Sequence, residues 1–200
     1  IFLLFAYFKT KSKVVTRDNS IHKNLINFNS YWFEKISKNI KQSKYIFDKN
    51  YKFYITKQNS LKTSSLIISN PKDNIIQKAI QIVLENIYEH KLNIFHQNSC
   101  GFRRGKNYHT AIHNIKYSWK NIPWYLKIDI KKVFEKVNKN RLCSIIKEHI
   151  RDEPLIALIH ASFKAGILDG NKILNLSNDL QQNNIVSPIL CNLYLDKLDW

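Results

Sequence analysis

Methionine is missing altogether from these 200 residues, glycine and proline number four each, cysteine three, and acidic residues only 15 against 32 lysines and arginines. Each scarcity excludes something. So little glycine and proline rules out collagen-like, proline-rich and Gly/Ser-linker architectures, and turns must rely on Asn, Asp, Ser and Lys. Cys100, Cys143 and Cys191 stand far apart and form neither a CxxC pair nor a zinc spacing. Their odd number argues against a disulfide framework and suits a reducing or matrix compartment. The apolar run at residues 1–8 falls short of the roughly 20 residues that span a bilayer. No charged region precedes it as in a secretory signal, so no membrane partner is expected. A chain without Met is a fragment, starts at a non-standard codon, or is read in frame from something upstream. Residues 1–44 are accordingly read as an N-terminal extension, exon read-through followed by a helix.

What is present is a hydrophobic fraction of 44%, enough for a core, and a net charge of +17. A chain this basic expects a polyanionic partner, because neutralising phosphates releases condensed counterions. Abundant Lys, Asn and Ile would also follow from AT-rich coding DNA, and both causes can act together.

Periodicity supplies a coarse layout. Leu25, Phe28, Trp32, Phe33, Ile36 and Ile40 recur at helical steps within residues 20–45. Residues 51–57 alternate as a strand, with a partner at 66–68. Asn70-Pro71 breaks the chain, and Asp73, in capping position, precedes an amphipathic helix carrying Ile75, Ile76, Ala79, Ile80, Val83, Leu84 and Ile87. Further helices are predicted at 108–120, 139–150 and 152–166, and another at 188–199 opening on Pro188. A short strand is predicted at 124–130. Mixed helices and short strands give an α+β class.

The chemistry centres on Lys127-Ile128-Asp129-Ile130-Lys131. A carboxylate on an apolar strand is costly unless it is paired or binds a cation. Alone, these five residues favour an Asp at a strand end, solvated or paired with Lys127 or Lys131. His109 and His113 lie at i, i+4 on a helix, but no HExxH pattern and no third ligand accompany them, so a packed or RNA-facing helix is expected rather than zinc.

Four blocks in order decide the matter: Leu66 to Ala79; Cys100-Gly101-Phe102-Arg103-Arg104-Gly105-Lys106 with His109-Thr110-Ala111; Asp129 with Phe134; and Ile185-Val186-Ser187-Pro188 running to Leu195. Over about residues 45–200 the chain resembles the reverse transcriptase and maturase proteins encoded by group II introns. The resemblance implies the fingers (45–123) and the first half of the palm (124–200) of a right-hand polymerase, the palm an antiparallel sheet backed by helices. It implies two Mg²⁺ ions held by carboxylates, with Asp129 the first metal-binding aspartate and the Ile130 carbonyl a second hard oxygen ligand. By the same resemblance Lys57 touches the incoming triphosphate and Phe134 packs beneath the nucleotide sugar, although plain core packing would also explain Phe134. Gln182 contacts the incoming nucleotide. Arg103, Arg104 and Lys106 form a basic turn, in which Gly101 and Gly105 let nucleic acid approach the backbone.

Departures from the family are specific. Ser64-Ser65 stand where the family has Arg-Pro, which removes a bidentate phosphate contact. Asp179-Leu180-Gln181-Gln182-Asn183 replaces a Gly-x-Pro-Gln-Gly loop. The family's Tyr-Ala-Asp-Asp hairpin, which would follow Trp200, is absent, so residues 1–200 alone are not expected to extend a primer. The expected function is RNA-directed DNA synthesis in a longer parent, coupled to intron splicing and mobility, with intron RNA, primer/template and dNTP as partners. The alternatives are a catalytically inactive, RNA-binding splicing maturase and a decayed fragment. Codon bias and the missing Met point to a mitochondrion, with a plastid as the alternative.

Overall fold

In the computed structural model residues 2–13, 28–56, 63–131, 133–169, 172–174 and 184–199 are described. The elements run α1 (Phe2–Lys13), α2 (Ser30–Lys41), β1 (Asn50–Thr56), β2 (Thr63–Ile68), α3 (Pro71–Glu85), a π-helical turn (Asn86–Lys91), α4 (Tyr108–Ser118), α5 (Val133–Lys136), α6 (Lys139–His149), α7 (Glu153–Lys164), β3 (Ile167–Asp169), β4 (Lys172–Leu174) and α8 (Ser187–Asp199). The α+β class is as expected.

Helix α3 is the hub, and its periodicity explains why. Ile76, Ile80 and Leu84 recur on one face and join the main core with Tyr88, Leu142, Ile146, Ile159 and Leu190. Ile75 and Ala79, one step round the helix, pack instead against Ala6 and Tyr7 of α1 and Phe33 of α2. Fully burying one such Ile or Leu is worth roughly 1.5–3 kcal/mol. Helices α1 and α2, which lie within the segment read as an N-terminal extension, are both packed on α3. The Tyr7 ring sits edge-on to Phe33, with centroids 5.6 Å apart.

Asparagine starts four of these helices. Asn29, Asn70, Asn107 and Asn138 each accept a backbone N–H from the first turn of α2, α3, α4 and α6. Such caps satisfy donors that no helix can satisfy itself. At α3 this is a correction: Asn70 is the cap, Pro71 occupies the first turn, and Asp73 faces inward.

The sheet has strand order β2-β1-β3-β4. β1 and β2 form an antiparallel hairpin from Tyr51↔Ile68 to Thr56↔Thr63. β1 then pairs in parallel with β3 through Asn50↔Ile167 and Tyr51↔Leu168, and β3 turns back on β4. A parallel pair requires a long crossover, here supplied by everything from α3 to α7. Lys52 Nζ (3.1 Å) and the Tyr54 hydroxyl (2.7 Å) both donate to Asp169 Oδ2 and tie β1 to β3.

The predicted strand at 124–130 does not form. That segment carries no regular structure and all of it is exposed, with Leu126 85% accessible. A strand persists only with a ladder partner, and no described segment pairs with this one.

Candidate functional site

Asp129 and Ile130 sit on the exposed 122–130 segment. Their carboxylate and carbonyl are hard oxygen donors of the kind Mg²⁺ takes. Among the described residues no group of three His, Cys, Asp or Glu converges as a metal site. Phe134, on the four-residue α5, is half-buried and packs against the main core. Lys57 and Gln182 lie outside the described residues.

The basic turn is resolved in detail, and it divides its residues by role. Arg103 is not a surface cation. Its guanidinium donates to the carbonyls of His96 (2.8 Å) and Ser99 (3.1 Å). Its Nε lies 3.5 Å from Glu89 Oε1, both side chains being 8% exposed. At that length the pair is ionic contact without a hydrogen bond. The same guanidinium covers the Phe95 ring at 5.2 Å. Arg103, which the resemblance makes a nucleic-acid contact, thus has its guanidinium turned into the loop, with two donated hydrogen bonds and an Nε that makes none. Lys106 Nζ donates to the Gln97 carbonyl. Arg104 remains exposed.

Gly105 has φ +75°, a conformation that strains any other residue. Gly101 has open space where a Cβ would sit, and its carbonyl accepts from Asn192 Nδ2 at 2.8 Å, which fastens the turn to α8. Between the two glycines, Phe102 adopts φ +54° with its ring exposed. Sequence reasoning passed over Phe102, because a phenylalanine between Gly and Arg carries no periodic signal.

Arg104 also lines a cleft of about 300 Å³ with Lys9 and Phe5 of α1, Glu85 of α3, and Asn86 and His90 of the π-helical turn. π-Helical turns recur at functional sites. The Glu85 carboxylate already accepts from Gln81 Nε2 at 2.6 Å.

Elsewhere the polar interior is structural. Asp73, 1% exposed, accepts from the Tyr45 hydroxyl (2.6 Å) and the Asp48 amide (2.9 Å). Burial pushes its carboxyl up to about 6, against the lowering effect of those two hydrogen bonds. Gln77, 2% exposed, accepts the Ile185 amide at 3.3 Å and anchors the segment entering α8. Asn184 accepts the Val186 amide at 3.0 Å in that same entry turn. Burial raises the thiols of Cys143 and Cys191. The ring of His109 stacks on Tyr108 (3.9 Å) and that of His113 on Tyr117 (4.4 Å), all four exposed on α4.

With this geometry in view, residues 55–199 match the family described as Reverse transcriptase (RNA-dependent DNA polymerase). The chain is 33% identical over 201 residues to the Putative COX1/OXI3 intron 2 protein of Saccharomyces cerevisiae, covering 98% of this chain and 23% of that protein. It is 34% identical over 172 residues to the Group II intron-encoded protein LtrA of Lactococcus lactis, covering 86% and 28%. It is 35% identical over 142 residues to Nuclear intron maturase 3, mitochondrial, of Arabidopsis thaliana, covering 68% and 19%. The chain thus spans about a quarter of the length of these relatives. Among solved structures it superposes on a chain of a partial Cas6-RT-Cas1–Cas2 complex with TM-score 0.59 at 21% identity, over 98% of this chain and 32% of that one.

Proposed function

This chain belongs to the reverse transcriptase (RNA-dependent DNA polymerase) family, and from that premise we propose that it is the fingers and first half of the palm of a group II intron-encoded protein that copies RNA into DNA. The observation that carries this is the family match over residues 55–199, a range that takes in Lys57, the basic turn, Asp129, Phe134 and Gln182. The similarity to Nuclear intron maturase 3, mitochondrial, favours a mitochondrial setting.

In this proposal Asp129 and the Ile130 carbonyl hold Mg²⁺, which when bound activates a primer 3′-hydroxyl and stabilises the leaving pyrophosphate. Phe134, held by the core, sets the floor of the nucleotide pocket and disfavours a 2′-hydroxyl. Lys57 and Gln182 meet the triphosphate and the base. Gln77 fixes the Ile185 end of the loop that carries Gln182. Template RNA runs along the basic turn, with Arg104 as its exposed cation.

The test is Asp129→Asn in the longest open reading frame containing this chain. Primer extension on an RNA template should drop to background while RNA affinity stays unchanged. A variant that extends as well as wild type would remove Asp129 from the reaction. A second reading has its own support: Ser64-Ser65 and the altered 179–183 loop both weaken nucleotide binding, as a non-polymerising splicing maturase would tolerate. A wild-type parent that promotes splicing and extends no primer would favour it.

A further inference from the structure

Resting on the nucleic-acid role proposed above, we infer that Phe102 is a base-stacking residue for single-stranded RNA, presented by a pre-stiffened loop. Three observations converge. First, Phe102 holds φ +54°, a left-handed conformation in which a bulky side chain is an outlier. Such strain persists only where the surroundings over-determine it, and it concentrates at functional sites. Second, the surroundings do over-determine it. Arg103 is locked to the His96 and Ser99 carbonyls, and its backbone carbonyl accepts the Lys106 amide at 3.3 Å. The Lys106 side chain is locked to the Gln97 carbonyl, and Gly101 to Asn192 of α8. Third, all this restraint serves a ring that is not buried: Phe102 is 72% exposed and has no aromatic or cationic partner among the described residues. Burying the ring would be the ordinary return for holding a loop so tightly, and the loop does the opposite.

An exposed aromatic on a rigid cationic loop is the arrangement that unpaired bases seek, since every base offers a π-face whatever the sequence. Two residues on, Arg104 opens into the cleft it shares with Lys9, Glu85 and His90, where the adjoining phosphate meets the Arg104 and Lys9 cations. Duplex RNA keeps its bases stacked on one another, so the partner is single-stranded.

The experiment measures binding of the intact chain to a fluorescein-labelled single-stranded RNA oligonucleotide and to the same sequence as a duplex, by anisotropy, with thermal unfolding of every variant alongside. Phe102→Leu keeps apolar bulk and loses the π-face; it should weaken single-strand binding roughly 5- to 150-fold, the range for one stacked base, and leave duplex binding unchanged. Phe102→Trp should bind as wild type or better. Phe102→Gly relieves the left-handed strain, so its melting temperature should hold or rise while its affinity falls with that of the Leu variant. The inference is overturned if the Leu and Gly variants bind single strands like wild type, if Trp loses as much as Leu, or if Gly unfolds earlier in step with lost binding. Wild type failing to bind either RNA would overturn it together with the nucleic-acid role itself. Wild-type binding with indifferent Phe102 variants would overturn the stacking assignment alone.

Discussion

A single buried carboxylate gives the fold a pH signature. Asp73 has its carboxyl raised to about 6, chiefly by burial. A group whose pKa is higher folded than unfolded stabilises most below its unfolded value, near 4, and that contribution is lost as pH rises through about 6. The span between those limits is on the order of 3 kcal/mol. Asp73→Asn cannot ionise. It should lie below wild type at pH 4, where it has lost only the acceptor for the Asp48 amide, and close or reverse the gap by pH 7. Melting curves at pH 4, 5.5 and 7 check this, and a constant gap would show that Asp73 does not titrate in that window. The sequence shows Asp73 at the start of an amphipathic helix. It does not show Tyr45, 28 residues earlier, whose hydroxyl turns the carboxylate inward. Arg103 teaches the same lesson: the sequence does not show Glu89, 14 residues earlier, whose carboxylate stands 3.5 Å from its Nε.

Elements made of local contacts were legible and elements made of distant ones were not. Helices α2, α3, α6, α7 and α8 follow the apolar spacing to within a few residues at most ends, because their hydrogen bonds close within one turn. The β1–β2 hairpin was visible too, although β2 starts at Thr63, three residues before the expected partner strand. The three-residue strands β3 and β4 are too short for alternation to register, and residues 124–130 alternate like a strand yet pair with no described segment. The loop after the π-helical turn is where element-level energetics can be read. Removing the Arg103 charge leaves Glu89 buried beside no cation, a loss of about 3–5 kcal/mol for a buried pair. Urea unfolding of Arg103→Gln should report that loss, and Arg103→Gln with Glu89→Gln should recover part of it. Arg104→Gln, on the exposed side of the same loop, should stay within about 0.5 kcal/mol of wild type. Equal losses at 103 and 104 would contradict the division of labour between them.

At the scale of the whole molecule, the charge of +17 and the order of the motif blocks already pointed to a nucleic-acid partner and to this family. What composition could not convey is that the sheet is sewn together from two hairpins more than ninety residues apart in the chain. That has a consequence for how the protein is born. On a ribosome adding about 5–20 residues each second, the β1–β2 hairpin is made long before β3 exists to flank it. More than a hundred residues separate β1 from β3, a wait on the order of ten seconds. During that interval the free edge of β1 has only passing neighbours, an invitation to chaperones or to aggregation. Nascent chains stalled before residue 167 should be cut by protease within residues 50–68, and chains released beyond 174 should resist. Equal resistance at both lengths would mean that the hairpin stands without its late partner.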